Sequence, residues 1–231
     1  MNAIHPLAAV AELIGEPARA AILLELADGR ARSAGELARA SAISAPSASG
    51  HLAKLLLGGL VLVKSEGRHR WYRLAGAGVG HALEALGAIA TRPPRLGALR
   101  RPGTDPLHEL RSCYDHLAGR VAVELARSLE ASRVLRPRGE RDYGLEPRGR
   151  AFFGRLGVDT ESLRASRRAF ARRCLDWTER RPHVAGALGA ALLSRLVDLG
   201  WVARRPDTRA LRVTVRGRRE LSDRFGIAVC A

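Results

Sequence analysis

Between Pro17 and Leu74 the chain is interrupted so often that only short helices and one hairpin fit. Pro17 suits the first turn of a helix, where its missing N–H has no intrahelical partner to lose. Residues 18–27 carry Ile22, Leu23 and Leu26 on one helical face, and Asp28-Gly29 ends that face. An earlier run, Pro6 to Ile14, is also apolar at helical spacing. Ser33 followed by Glu36 predicts a capping box for a short helix over 34–40. After a turn near Ala42 and Ile43, Ser44 is an N-cap and Pro46 a first-turn residue of another helix, which Gly58-Gly59 ends. This second helix opens with small polar residues. A helix entering a major groove needs such residues to present hydrogen-bonding groups to base edges.

Leu60-Val61-Leu62-Val63-Lys64 predicts a strand, Ser65-Glu66-Gly67-Arg68 a turn, and His69-Arg70-Trp71-Tyr72-Arg73-Leu74 a return strand. Alternation turns one of Trp71 and Tyr72 inward. The tip and return arm carry Arg68, His69 and Arg70, which suit phosphate or minor-groove contacts.

Over roughly its first ninety residues the chain resembles the arsenical-repressor (ArsR) family of winged-helix regulators. The resemblance rests on Glu36-Leu37-Ala38, Ile43-Ser44, Ser49-Gly50-His51-Leu52, Gly59-Leu60-Val61 and the run from Glu66 through Leu74. It implies a homodimer on a palindromic operator in double-stranded DNA, usually a repressor released by an effector. It also implies that Ser44, Ser47, Ser49, His51 and Lys54 face DNA, with Arg68 and Arg70 as wing contacts. The chain departs from the family at Gly50, where Arg is common, and at Ala53, where Lys is common. The family's metal-binding cysteine pair is absent from the helix containing Glu36. The apolar run Val79 to Ala90 suits dimerisation, as in this family.

The 231 residues carry a net charge of +16, a sign that favours a polyanionic partner. All but two of the basic residues are Arg, the exceptions being Lys54 and Lys64, so part of the charge reflects a composition bias. Three dispersed cysteines are not a secreted disulfide framework. With no signal peptide and no apolar run of membrane-spanning length, the expectation is a cytoplasmic protein with no membrane partner. No phosphate-binding loop, nucleophile elbow or zinc-protease helix marks it as an enzyme.

A Pro-, Gly- and Arg-rich linker follows Thr91, dividing the chain into a DNA-binding and dimerisation domain over 1–94 and an effector or dimerisation domain over 95–231. The second part carries a repeat, about 113–158 and 180–227. His116-Leu117-Ala118-Gly119 matches His183-Val184-Ala185-Gly186, each before an apolar helix, a short hairpin and a further helix marked by Arg148-Gly149-Arg150 or Arg216-Gly217-Arg218. The expected fold is mainly α with small β-hairpins (α+β): a winged helix-turn-helix followed by a duplicated winged-helix-like domain.

Two clusters could hold an effector. Cys113-Tyr114-Asp115-His116, read as helical, places Cys113 and His116 on one face. Cys174-Leu175-Asp176-Trp177 precedes Pro182-His183, read as a helix start. The matching positions of His116 and His183 predict that they meet across a pseudo-symmetric interface. Cys113 and Cys174 would join them, with Asp176 or Asp115 nearby. Two thiolates and two imidazoles suit Zn, Cd or Pb. An organic ligand between Trp177 and His183 is the alternative effector, and plain packing of buried cysteines is the bland one. At the level of function, a nonspecific nucleic-acid-binding protein is the alternative to a sequence-specific regulator. Cys230, beside the C-terminal residue, is expected to be uninvolved.

Overall fold

The computed structural model describes residues 6–67, 69–90, 106–206 and 208–229. They form two compact units, divided between Thr104 and Asp105. The linker residues 91–105, the wing-tip Arg68 and Cys230 lie outside the described residues.

The first unit comprises α1 (Pro6–Gly15), α2 (Pro17–Glu25), a single 3₁₀ turn over Leu26–Asp28, β1 (Arg32–Ser33), α3 (Ala34–Ala40), α4 (Ala45–Leu57), β2 (Val61–Glu66), β3 (His69–Leu74) and α5 (Ala77–Ile89). Gly29 adopts the left-handed conformation that ends the 3₁₀ turn. Ser33 and Glu36 form the full capping box at α3. Ser44 caps α4 by accepting from the Ser47 N–H. Ile22, Leu23 and Leu26 meet Leu37, Leu52, Leu55 and Tyr72 in one core. The three strands pair antiparallel in the order β1-β3-β2. The ladder runs on to Glu66 and His69, so the wing turn is shorter than the four residues expected for it. Neither Leu86 nor Ile89 of α5 is covered, and α1 buries no residue fully.

The second unit begins with α6 (Pro106–Glu109) and then runs twice through hairpin, helix, hairpin, helix. The first pass is β4 (Arg111–Cys113), β5 (His116–Ala118), α7 (Arg120–Ala131), β6 (Leu135–Arg138), β7 (Asp142–Leu145) and α8 (Pro147–Leu156). After α9 (Thr160–Ala165), the second is β8 (Arg172–Leu175), β9 (Pro182–Ala185), α10 (Gly186–Asp198), β10 (Val202–Arg204), β11 (Leu211–Val213) and α11 (Val215–Phe225).

The passes are interlocked. The wing of the first, β6-β7, continues into β8-β9 of the second through Asp142 and Arg172. Conversely, the second wing reaches β4 through the bridge between Arg111 and Ala210. Each central helix packs on the other pass as well, α10 on β5 and α7 on β9. One core results, with Leu125 and Leu129 of α7 and Leu188 and Leu192 of α10 among its members.

The shared His-x-Ala-Gly motif has a backbone cause at its glycine. Gly119 has φ +93 and Gly186 has φ +79, a region that side chains disfavour. At Gly186 a Cβ would also come within 2.7 Å of the Ala169 carbonyl oxygen; at Gly119 it would meet His108 O at 2.8 Å. Both glycines switch the chain from strand into helix against another segment's backbone.

His116 and His183 therefore stand on strands, correcting the helical reading of both clusters. The register explains it. Cys113 pairs with His116 across the tight β4-β5 hairpin, and Cys174 pairs with His183 across β8-β9. The first hairpin turns through Tyr114 and Asp115, the second through residues 176–181, so strand pairing equates Cys113 with Cys174 although linear spacing does not.

Gly186→Ala is predicted to destabilise the full chain by more than the ~1–2 kcal/mol of a left-handed residue alone, because the carbonyl contact adds to it. Gly154→Ala, in α8 with nothing within 4 Å, should be neutral or stabilising. Urea unfolding of both variants checks the difference.

Candidate functional site

The first candidate surface lies on α4 and the wing. Ala48, Leu52 and Leu55 are buried, which turns Ser44, Ser47, Ser49, Gly50 and Lys54 outward. His51 is different: it is half-buried, with Nδ1 3.3 Å from the Glu16 carboxylate. Glu16 in turn caps α2 by accepting from the Ala18 and Arg19 N–H groups. His51 is thus tied back to its own unit rather than projecting with the serines. Ser49 and Ala53 line an open groove whose other wall includes His69, Arg70 and Tyr72 of β3. Tyr72 is the inward aromatic, while His69 and Arg70 are exposed.

The second candidate site is the cysteine–histidine cluster. One donor atom from each of Cys113, His116, Cys174 and His183 lies within 4.8 Å of the other three. The two Nε2 atoms are 3.1 Å apart, and the rings are tilted at 37°. Cys113, His116 and His183 are buried, and Cys174 is half-buried. Each pass supplies one thiol and one imidazole from a cross-strand pair.

Asp176, expected among the ligands, is not in this donor set. Its Oδ2 lies 3.2 Å from His183 Nδ1, behind the ring, in a bent contact. Its oxygens also accept from the Arg111 guanidinium, the Gly119 N–H, and the Thr178 hydroxyl and N–H. The chain turns there so that backbone donors converge on the carboxylate, which occupies it elsewhere. Burial alone would raise the Asp176 carboxyl; the His183 contact and the Arg111 charge overcome it and hold the group far below the usual carboxylate range. Burial works against a charged His183, but Asp176 and Cys113 outweigh it and raise that pKa.

Asp115 plays the matching part on the other side. Its Oδ1 is 3.3 Å from His116 Nδ1, and Arg168 grips both its oxygens. The hydrogen bond from Arg168 lowers the Asp115 carboxyl. Sequence reasoning missed Arg111 and Arg168, whose contacts to the two carboxylates span 65 and 53 residues. Trp177 is 2% exposed and packs against the Arg111 guanidinium at 5.4 Å.

A helix-turn-helix domain family matches residues 14–64, the segment holding α2 through most of β2. An uncharacterised HTH-type transcriptional regulator of Bacillus subtilis, YdfF, is 43% identical over 212 residues, 92% of this chain and 93% of its own. The chain belongs to the helix-turn-helix transcriptional regulators. Among solved structures, it is similar to the homodimeric winged helix-turn-helix domain of a possible ArsR-family regulator from Mycobacterium bovis. That match has 31% identity and a TM-score of 0.34, covering 36% of this chain and 77% of that one. The cadmium sensor CMTR of Mycobacterium tuberculosis matches at 31% identity and a TM-score of 0.32, covering 41% of this chain and 99% of its own. The family match over residues 14–64 and the relative from Bacillus subtilis give this regulator a helix-turn-helix DNA-binding domain in its first unit. No helix among the described residues is long and apolar enough to cross a membrane.

The buried Arg111–Asp176 pair yields a prediction for this regulator. Asp176→Ala strands a buried guanidinium and should cost about 3–5 kcal/mol, whereas the double change Arg111→Met with Asp176→Leu should recover only part of that loss, because the Gly119 and Thr178 N–H groups still lack their acceptor. Because folding depresses its pKa, the Asp176 contribution is present above about pH 4 and fades as pH falls. Urea unfolding at neutral and at acid pH measures both effects.

Proposed function

We propose that this regulator is a cytoplasmic homodimeric repressor that binds a palindromic operator and is released by a metal ion or thiol-reactive effector. The reading is carried by the four convergent donors of Cys113, His116, Cys174 and His183. Ser44 at the cap of α4, Ser47, Ser49 and Lys54 on it, and His69, Arg70 and Arg68 of the wing face DNA. His51 orients α4 through Glu16. The uncovered Leu86 and Ile89 of α5 and the exposed Leu7 of α1 supply the dimer face. An organic effector between Trp177 and His183 is less favoured, because those side chains are 2% and 1% exposed.

Nonspecific nucleic-acid binding is the second reading, motivated by the net charge of +16. DNA titration separates the two. Full-length protein is titrated against DNA upstream of its own coding region, with random DNA as competitor, alone and with Zn, Cd, Pb or an oxidant. The regulator reading expects a preference on the order of 10³ or more for the upstream DNA, lost on one of these additions. Equal affinity for random DNA would favour nonspecific coating, and binding indifferent to every addition would remove the effector assignment. Arg70→Ala should weaken binding to all sequences and reduce the salt slope by about 1, while Ser47→Ala should change sequence preference instead.

A further inference from the structure

Resting on the effector reading above, the geometry points to something more specific than a reactive thiol pair. We propose that the cluster is a closed, four-coordinate clamp for one divalent cation of the zinc–cadmium type, joining the two passes, with Asp176 and Asp115 as positioning residues for its two imidazoles.

Three observations converge on it. First, the ligand set is symmetric by construction. Register places Cys113 opposite His116 and Cys174 opposite His183, so each hairpin presents one sulfur and one nitrogen from adjacent strands. A tetrahedral site with Zn–S near 2.3 Å and Zn–N near 2.0–2.1 Å separates its donors by about 3.3–3.8 Å. The observed separations, 3.1 Å between the Nε2 atoms and none above 4.8 Å, are close to that spacing before any ion is added.

Second, both imidazoles are engaged from behind. Asp115 lies against His116 Nδ1 and Asp176 against His183 Nδ1. A ring that keeps its proton on Nδ1 presents a lone pair at Nε2, and here the two Nε2 atoms face each other. Two facing lone pairs at this distance repel unless a proton or a cation lies between them. Carboxylates behind ligating histidines fix the tautomer and raise ligand basicity.

Third, the charges balance without an open coordination position. Two thiolates neutralise a divalent ion. The carboxylates behind the rings are in turn neutralised, Asp176 by Arg111 and Asp115 by Arg168. Burial of the whole assembly therefore leaves no isolated charge, which a dry interior would penalise. Sulfur and imidazole donors select against Mg and Ca, which prefer oxygen. The arrangement also separates the two carboxylates by role. Asp176 is buried and held by several donors, whereas Asp115 is partly exposed and held by one arginine.

The test is titration of the reduced full chain with Co(II), in the absence of DNA. One equivalent should give the intense visible bands of tetrahedral cobalt and a near-ultraviolet thiolate-to-cobalt band, and Zn should bleach both. Zn should also protect two of the three thiols from a disulfide reagent and raise the urea midpoint of the chain. Cys113→Ser and His183→Gln should lose the spectrum. Asp115→Asn, at the exposed edge where folding is least at risk, should keep the spectrum but weaken affinity about 10-fold or more, and Asp176→Asn more strongly. A pale octahedral spectrum, or an unchanged one in Cys113→Ser, would overturn the site. Wild-type affinity in Asp115→Asn and in a folded Asp176→Asn would overturn the positioning role. If the cobalt site forms as described and DNA binding ignores it, the clamp stands and the repressor-release reading fails.

Discussion

The exchange of hairpins between the two passes of the C-terminal unit is the constraint on which its site depends. The first wing continues the sheet of the second pass, the second wing bridges to β4 of the first, and each central helix packs on the other pass. Neither pass can bury its apolar helix alone, so one core forms from both. The two first hairpins are thereby brought face to face. A cysteine and a histidine paired across strands in each hairpin then become a four-donor cluster with no long-range motif in the sequence.

The buried polar residues around the cluster follow from the same constraint. A carboxylate such as Asp176 is tolerated in the interior only with its lone pairs satisfied, and Arg111, Gly119 and Thr178 satisfy them from three different segments. The Gly119 N–H is available for this because the left-handed turn at Gly119 leads into α7. The backbone requirement of the repeated motif and the electrostatics of the site meet at that residue. In the first unit, the α4 surface is similarly fixed from below: Leu52 and Leu55 anchor one face, and the Glu16–His51 contact ties its middle to the start of α2.

Much of the first unit was legible because its signals are local. Ser33 and Glu36, Ser44 and Pro46, and Gly58-Gly59 each act within one turn of helix. The two-residue β1 was not legible, since nothing in Arg32-Ser33 distinguishes a strand from a loop without its partners Tyr72 and Trp71. The proximity of Cys113 and His116 was expected for the wrong reason. A spacing of three places residues on one face of a helix, but it also makes them partners across a two-residue hairpin turn. Cys174 and His183, nine apart, could be joined only by knowing the longer loop between their strands. Asp176 was legible as a neighbour of the site but not as a residue behind the ring. Two of its partners, Arg111 and Gly119, lie more than fifty residues away.

X-ray absorption at the zinc edge of the zinc-loaded full chain tests the central claim most directly. A clamp of Cys113, His116, Cys174 and His183 gives a first shell of two sulfurs near 2.3 Å and two imidazole nitrogens near 2.0–2.1 Å. A shell of light atoms alone, or one sulfur in place of two, would contradict it.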